Sequence, residues 1–302
     1  MKIIKITPQG FCKGVIRAIA LINKALLDPT IPRPIYMLGG LVHNKHIIQS
    51  YQDAGIQVIS SIDSIDQGTV IITAHGISDA VLEAIHEKKL HVINATCFDV
   101  LKTHDLIKTK INEGYTILYY GKATHPETKG ILGISKDIIL IQHQNEIKNL
   151  PPYPSKLAFT TQTTMGYLDV LHLAEQLKEV YPTIEIHIDI CNATKLRQEA
   201  LLASADLVDF IIIVGDPASN NTKKLKEVCD IYTATPSILV QNITDLKAVD
   251  LSLFSTVGVT AGASTPTAIV DEIISGITNN DFNSYLQPND YLNYTNKKTE
   301  IR

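Results

Sequence analysis

Short apolar runs rich in β-branched residues alternate with longer segments of helical period along the whole chain, and that alternation admits few architectures. It is the pattern of βαβ units, whose parallel strands are covered on both faces by helices, so the fold class predicted is α/β. The strands predicted are 3–6, 35–38, 70–73, 92–93, 116–120, 138–141, 158–160, 185–188, 210–214, 237–240 and 257–260, with the clearest helices at 14–27 and 168–180. The stretch Asn149-Leu150-Pro151-Pro152-Tyr153-Pro154 reads as a surface connection. The polar tail from Asn289 to Arg302 reads as a late-ordering segment.

The cysteines divide this array. Cys12, Cys97 and Cys191 lie 85 and 94 residues apart, each just after a predicted strand, while Cys229 breaks the rhythm. The spacing predicts three α/β lobes of similar size, each presenting one thiolate at the carboxyl end of a strand, where open α/β sheets hold their ligands. The expected divisions are 1–97, 98–190 and 191–283, with a tail at 284–302. Cysteines so far apart do not form the framework of a secreted disulfide protein, and the apolar start of the chain gives way at Thr7-Pro8-Gln9-Gly10 before a signal peptide could form. The expected compartment is the cytoplasm. No run approaches the roughly 20 apolar residues that cross a bilayer, so no membrane partner is expected. A net charge of −4 with dispersed lysines and arginines excludes the basic stripe of a nucleic-acid protein.

A zinc ribbon would take paired ligands from a Cys-x-x-Cys knuckle, which the chain lacks. Four cysteines can also be plain buried hydrophobes. If three thiolates converge, they hold three corners of a four-iron cluster and leave the fourth iron open to substrate.

Three histidines follow apolar runs in small-residue loops, in Leu41-Val42-His43-Asn44, Thr73-Ala74-His75-Gly76 and Thr124-His125-Pro126-Glu127. His46, His86, His91, His104, His143, His172 and His187 have no such context and read as surface or satisfied core residues. Two further junctions, Val214 to Thr222 and Thr260 to Pro266, carry Ser, Thr and Asn. Such residues cap helices, and beside free backbone N–H groups they also make an anion site suited to phosphate. Neither junction is a Walker loop, and no Gly-x-Gly-x-x-Gly supports a nicotinamide cofactor.

Taken in order, Gly10-Phe11-Cys12-Lys13-Gly14-Val15, Val42-His43-Asn44, Ala74-His75-Gly76, Ala95-Thr96-Cys97, His125-Pro126-Glu127, Thr161-Gln162-Thr163-Thr164, Asp189-Ile190-Cys191 with Arg197-Gln198, Ser219-x-Asn221 and Gly258 to Ser264 resemble the LytB/IspH family. The resemblance runs from Gly10 to about Ile274. It implies a trefoil of three lobes around a central 4Fe–4S cluster with Cys12, Cys97 and Cys191 as ligands. It also implies a reaction that removes the hydroxyl of an allylic diphosphate with two electrons and two protons, giving isopentenyl and dimethylallyl diphosphates and water. The electrons would come from a ferredoxin- or flavodoxin-like donor. His43, His75, His125, Ser219, Asn220, Asn221 and Ser264 stand where the family holds the diphosphate. Glu127 and Thr163 stand where it handles the proton and the substrate hydroxyl. Three features depart from the pattern: Lys13 puts a positive charge after the first cysteine, Asn220 stands where many members have Ser, and the residues after Cys97 and Cys191 read as variable surroundings.

Two rival readings use the same residues. A metal-dependent phosphate-ester hydrolase would use the His and Ser loops with the cysteines structural. A non-enzymatic iron–sulfur sensor would use the thiolates and leave Glu127 and the anion loops without a purpose.

Overall fold

Strands buried on both faces read as unbroken apolar runs, and β10 (Phe210–Val214), Phe-Ile-Ile-Ile-Val, is buried at every position. The computed structural model describes residues 1–150, 156–287 and 290–291. Their strands form three four-stranded sheets in which every pairing is parallel. One sheet holds β2 (Ile35–Leu38), β3 (Gln57–Ile59), β4 (Thr69–Ile72) and β5 (His91–Asn94) in the order β3-β2-β4-β5. The next holds β6 (Thr116–Tyr120), β7 (Ile138–Ile141), β8 (Leu157–Thr161) and β9 (Glu185–Ile186) in the order β7-β6-β8-β9. The last places β1 (Lys2–Lys5) beside β12 (Thr256–Ala261), then β10 and β11 (Ser237–Val240).

The sheets share one plan. In each, an outer strand, β5, β9 or β1, runs toward a cysteine that is the N-cap of a helix: Cys97 before α4 (Phe98–Asn112), Cys191 before α7 (Asn192–Ala205) and Cys12 before α1 (Lys13–Leu27). The cysteine backbones are seated alike. Cys97 N–H donates to Ala74 O, Cys191 N–H to Thr163 O and Cys12 N–H to Ala263 O, each at 3.0 Å. All three acceptors lie just past the strand paired with the outer one. The remaining α-helices are α2 (Lys45–Asp53), α3 (Asp79–Glu87), α5 (Pro126–Leu132), α6 (Tyr167–Val180) and α8 (Asn220–Tyr232), each between two strands, and α9 (Thr267–Asn279), which follows β12.

The plan redraws one expected division. The opening strand does not stay with residues 1–97, because Lys2 to Lys5 pair in register with Thr256 to Val259 and complete the last lobe. The apolar face of α1, with Val15, Ala18, Ile19 and Ile22 buried, then joins the cores of the first and last sheets into one cluster. β3 was not among the predicted strands, since three residues are too few to show alternation. The predicted 185–188 run is cut to Glu185–Ile186. Residues 151–154 of the predicted connection, and the tail from 289 apart from Asp290 and Tyr291, lie outside the described residues.

Candidate functional site

Loops leaving the carboxyl ends of the central strands converge on one cavity of about 90 Å³ among the three lobes. Each of the twelve residues singled out in the sequence lines it, from Cys12 to Ser264. Cys12, Cys97 and Cys191 are half-buried free thiols on one side. Because each is a helix N-cap with no side-chain cap bond, the positive ends of three helices face the sulfurs. Burial pushes the Cys97 thiol up and the Cys191 thiol to about 12. Gly14 makes room between two of them, since a Cβ at that position would lie 2.7 Å from Cys97 Sγ and 3.8 Å from Cys12 Sγ. Cys229 is elsewhere, fully buried in the apolar core of the last lobe with Ile211, Ile213 and Leu225.

His43, His75 and His125 come together from two lobes, with ring centroids 4.9, 5.3 and 5.2 Å apart. Their candidate ligating nitrogens all lie within 4.8 Å of one another. Burial, reinforced by mutual repulsion, holds His75 down to about 3 and His125 to about 2, and burial also lowers His43. All three rings are therefore neutral near pH 7. The Nε2 atoms of His43 and His75 are buried without a partner among the described residues. His125 Nδ1 accepts the Glu127 backbone N–H at 3.3 Å, so the neutral ring carries its proton on Nε2. That tautomer makes Nε2 a donor. A metal would need its lone pair, whereas an anion needs its hydrogen.

Glu127, in the first turn of α5, is fully buried. Its Oε1 accepts Thr163 N–H at 2.7 Å and its Oε2 is 2.9 Å from Thr163 Oγ1. Burial outweighs these bonds and pushes its pKa up to about 7. The carbonyl of the same Thr163 receives the Cys191 N–H, which fixes the acid relative to one thiol.

Ser219 caps α8, and Ser264 Oγ donates to Ser219 Oγ at 3.1 Å. The two amides on α8 are less free than the sequence suggests. Asn221 Oδ1 accepts Ala263 N–H at 2.8 Å and its Nδ2 donates to Thr194 Oγ1 at 2.9 Å. Asn220 Nδ2 is spent on Thr164 O and Oγ1, at 2.8 and 3.1 Å, and only its acceptor Oδ1 is buried without a partner. An acceptor does not suit an anion, so the expected donation from Asn220 is replaced by a tie between lobes.

Sequence reasoning missed Thr194, which lines the cavity fully buried and lies 3.2 Å from Cys191 Sγ. Its signal was a Thr three residues past a candidate ligand in the first turn of a helix, within surroundings read as variable. Arg197, one turn on, is also buried and bonds Gly10 O, which ties α7 to the approach to Cys12.

The family model described as LytB protein matches residues 3–278. A 4-hydroxy-3-methylbut-2-enyl diphosphate reductase of Bacillus cytotoxicus is 46% identical over 282 residues, covering 91% of this chain and 90% of that protein. One of Bacillus thuringiensis is 45% identical with coverage of 91% and 89%. Among solved structures, the E-1-hydroxy-2-methyl-but-2-enyl-4-diphosphate reductase of Plasmodium falciparum superposes with a TM-score of 0.88 at 29% identity, covering 99% of both chains. A second, an (E)-4-hydroxy-3-methyl-but-2-enyl diphosphate reductase described as the terminal enzyme of the non-mevalonate pathway, gives a TM-score of 0.67 at 29% identity over 92% of this chain and 99% of that one.

Proposed function

The chain belongs to the LytB protein family, and from that premise we propose that it reduces 4-hydroxy-3-methylbut-2-enyl diphosphate to isopentenyl and dimethylallyl diphosphates, taking up two electrons and two protons and releasing water. The observation that carries the reading is the meeting, around one cavity, of three thiols, three neutral histidines and a buried carboxyl. Three soft thiolates and the space left by Gly14 fit a 4Fe–4S cluster held by Cys12, Cys97 and Cys191. When bound, such a cluster supplies electrons and an open Lewis-acidic iron. The electrons would come from a ferredoxin- or flavodoxin-like carrier, in the cytoplasm. Among the described residues no helix is long and apolar enough to cross a membrane.

The chain's own residues do the rest. His43, His75 and His125, with Ser219, receive the diphosphate by donating from neutral N–H and O–H groups, Ser264 joins them by turning its hydroxyl hydrogen from Ser219 to the anion, and a shielded site strengthens each bond. Asn221 positions the Ser264 loop and Thr194 with its oxygen and one amide hydrogen, and its second hydrogen is left to donate to the anion. Glu127, about half protonated near pH 7 and increasingly so below it, is the proton reserve. Its acid hydrogen passes to Thr163 Oγ1, whose own hydroxyl hydrogen is then free for the departing oxygen, so that water leaves instead of hydroxide. The His125 tautomer weighs against a histidine-bound zinc hydrolase, because the Glu127 N–H occupies the lone pair of Nδ1 and leaves Nε2 protonated.

Anaerobic reconstitution followed by iron and sulfide analysis, with turnover under a chemical reductant, tests the reading. About four irons per chain and substrate-dependent oxidation of the reductant are expected. A colourless zinc protein that releases phosphate would sink it.

A further inference from the structure

A second cavity, of about 640 Å³, opens beside the first and shares Val42, His43 and His75 with it. It lies at the carboxyl ends of β2, β3 and β4, where the order β3-β2-β4-β5 sends the connections from β2 and β4 in opposite directions. That crevice is where open α/β sheets take ligands. Its walls are Leu38, Ile48, Ile62, Ile77, Val81 and Ala84, all but Ile62 only part-buried, so apolar surface is left facing solvent. Lys129 stands exposed at the lining, and its side chain has no ion-pair or hydrogen-bond partner among the described residues. The lining also holds Asp63, whose carboxylate is engaged by Ser61 Oγ.

A five-carbon substrate has little use for so much apolar wall, and it must reach the cysteines, which line only the smaller cavity. A ligand that shares the diphosphate and carries a longer hydrocarbon chain would use both. We propose that this cleft binds the chain of a prenyl diphosphate of ten or more carbons, whose headgroup lies on the shared histidines and displaces the substrate. Joining allylic five-carbon units keeps one diphosphate and lengthens the chain, so the ligand is a product of the condensations that consume what this site makes. The cleft would therefore sense downstream product. This rests on the reductase reading.

The test uses the reconstituted holoenzyme with a chemical reductant, and geranyl diphosphate beside inorganic diphosphate as probes. Geranyl diphosphate should inhibit competitively and about tenfold more tightly than inorganic diphosphate, the scale of two buried methylenes. Ala84→Phe, which fills the cleft from α3, should remove that advantage and leave the substrate KM and the inorganic diphosphate inhibition unchanged. Ser61→Trp, on the exposed rim, repeats the test should the first variant fold poorly. Equal inhibition by the two probes, non-competitive inhibition, or unaltered geranyl diphosphate inhibition in the filled variants would each overturn the proposal. A parent protein that does not turn over the five-carbon substrate sinks the reductase reading instead; the cleft is then decided by calorimetric titration of geranyl diphosphate into parent and Ala84→Phe protein, and equal affinities overturn it.

Discussion

Glu127→Gln separates the acid's chemistry from its packing. The amide keeps the shape, its oxygen can accept Thr163 N–H, and its NH₂ can donate to the Thr163 hydroxyl, so both contacts of the parent survive. What it lacks is a proton to give, and turnover should fall by about 10²–10⁴-fold, the usual worth of a general acid. The pH dependence adds a second reading. Burial raises the parent carboxyl from 4.5 to about 7, so kcat/KM should decline as pH rises through about 7, and the Gln variant should lose that limb. Stability runs the same way. A raised carboxyl pKa favours the fold fully below pH 4.5 and loses that contribution as pH climbs to about 7. At about 1.4 kcal/mol per unit, ionising Glu127 inside the fold costs on the order of 3 kcal/mol, so the Gln variant should gain up to that much over the parent by pH 8 and nothing at pH 4. Anaerobic turnover with the physiological substrate, beside urea unfolding at several pH values, measures both. Near-parental turnover, or a parent profile flat through pH 7, would remove Glu127 from proton delivery.

Serine at Cys12, Cys97 or Cys191 should abolish stable iron retention, whereas Cys229→Ser should keep full iron and unfold about 1–3 kcal/mol more easily, because a hydroxyl enters the apolar core; iron per chain and denaturant midpoints decide. Gly14→Ala should lose iron while staying folded, since its new Cβ falls 2.7 Å from Cys97 Sγ, and circular dichroism beside iron assay checks it. Alanine at His43, His75, His125, Ser219 or Ser264 should weaken diphosphate binding by about 1–3 kcal/mol each, measured by titration; five unchanged affinities would move the anion site elsewhere.

Strand and helix positions were legible because a parallel strand needs a run of apolar residues and its covering helix needs an apolar stripe, and both patterns survive in a single sequence. The pairing of β1 with β12 was not, because a four-residue strand carries nothing that names a partner at the far end of the chain. In the site, each cysteine and histidine stood out as a reactive side chain just past a strand. One amide hid its duty: Asn220 looks like an anion donor in the sequence, but its hydrogens go to Thr164, whereas Asn221 gives one hydrogen to Thr194 and keeps a second. Which way an amide turns is decided by neighbours brought from other lobes, and no local pattern reports them.

The closure of the last lobe by the first strand also sets a clock for biosynthesis. Lys2 meets Thr256, and the backbone of Cys12 is held by Ala263, so the thiol made first waits for a seat made almost last. At roughly 5–20 residues per second, a ribosome needs on the order of 10–50 s to supply that seat. Iron offered to the nascent chain earlier meets two arranged sulfurs at most. A cluster held by the three thiols would thus assemble only on the finished polypeptide, and a chain that stops short of β12 leaves the Cys12 backbone without its seat.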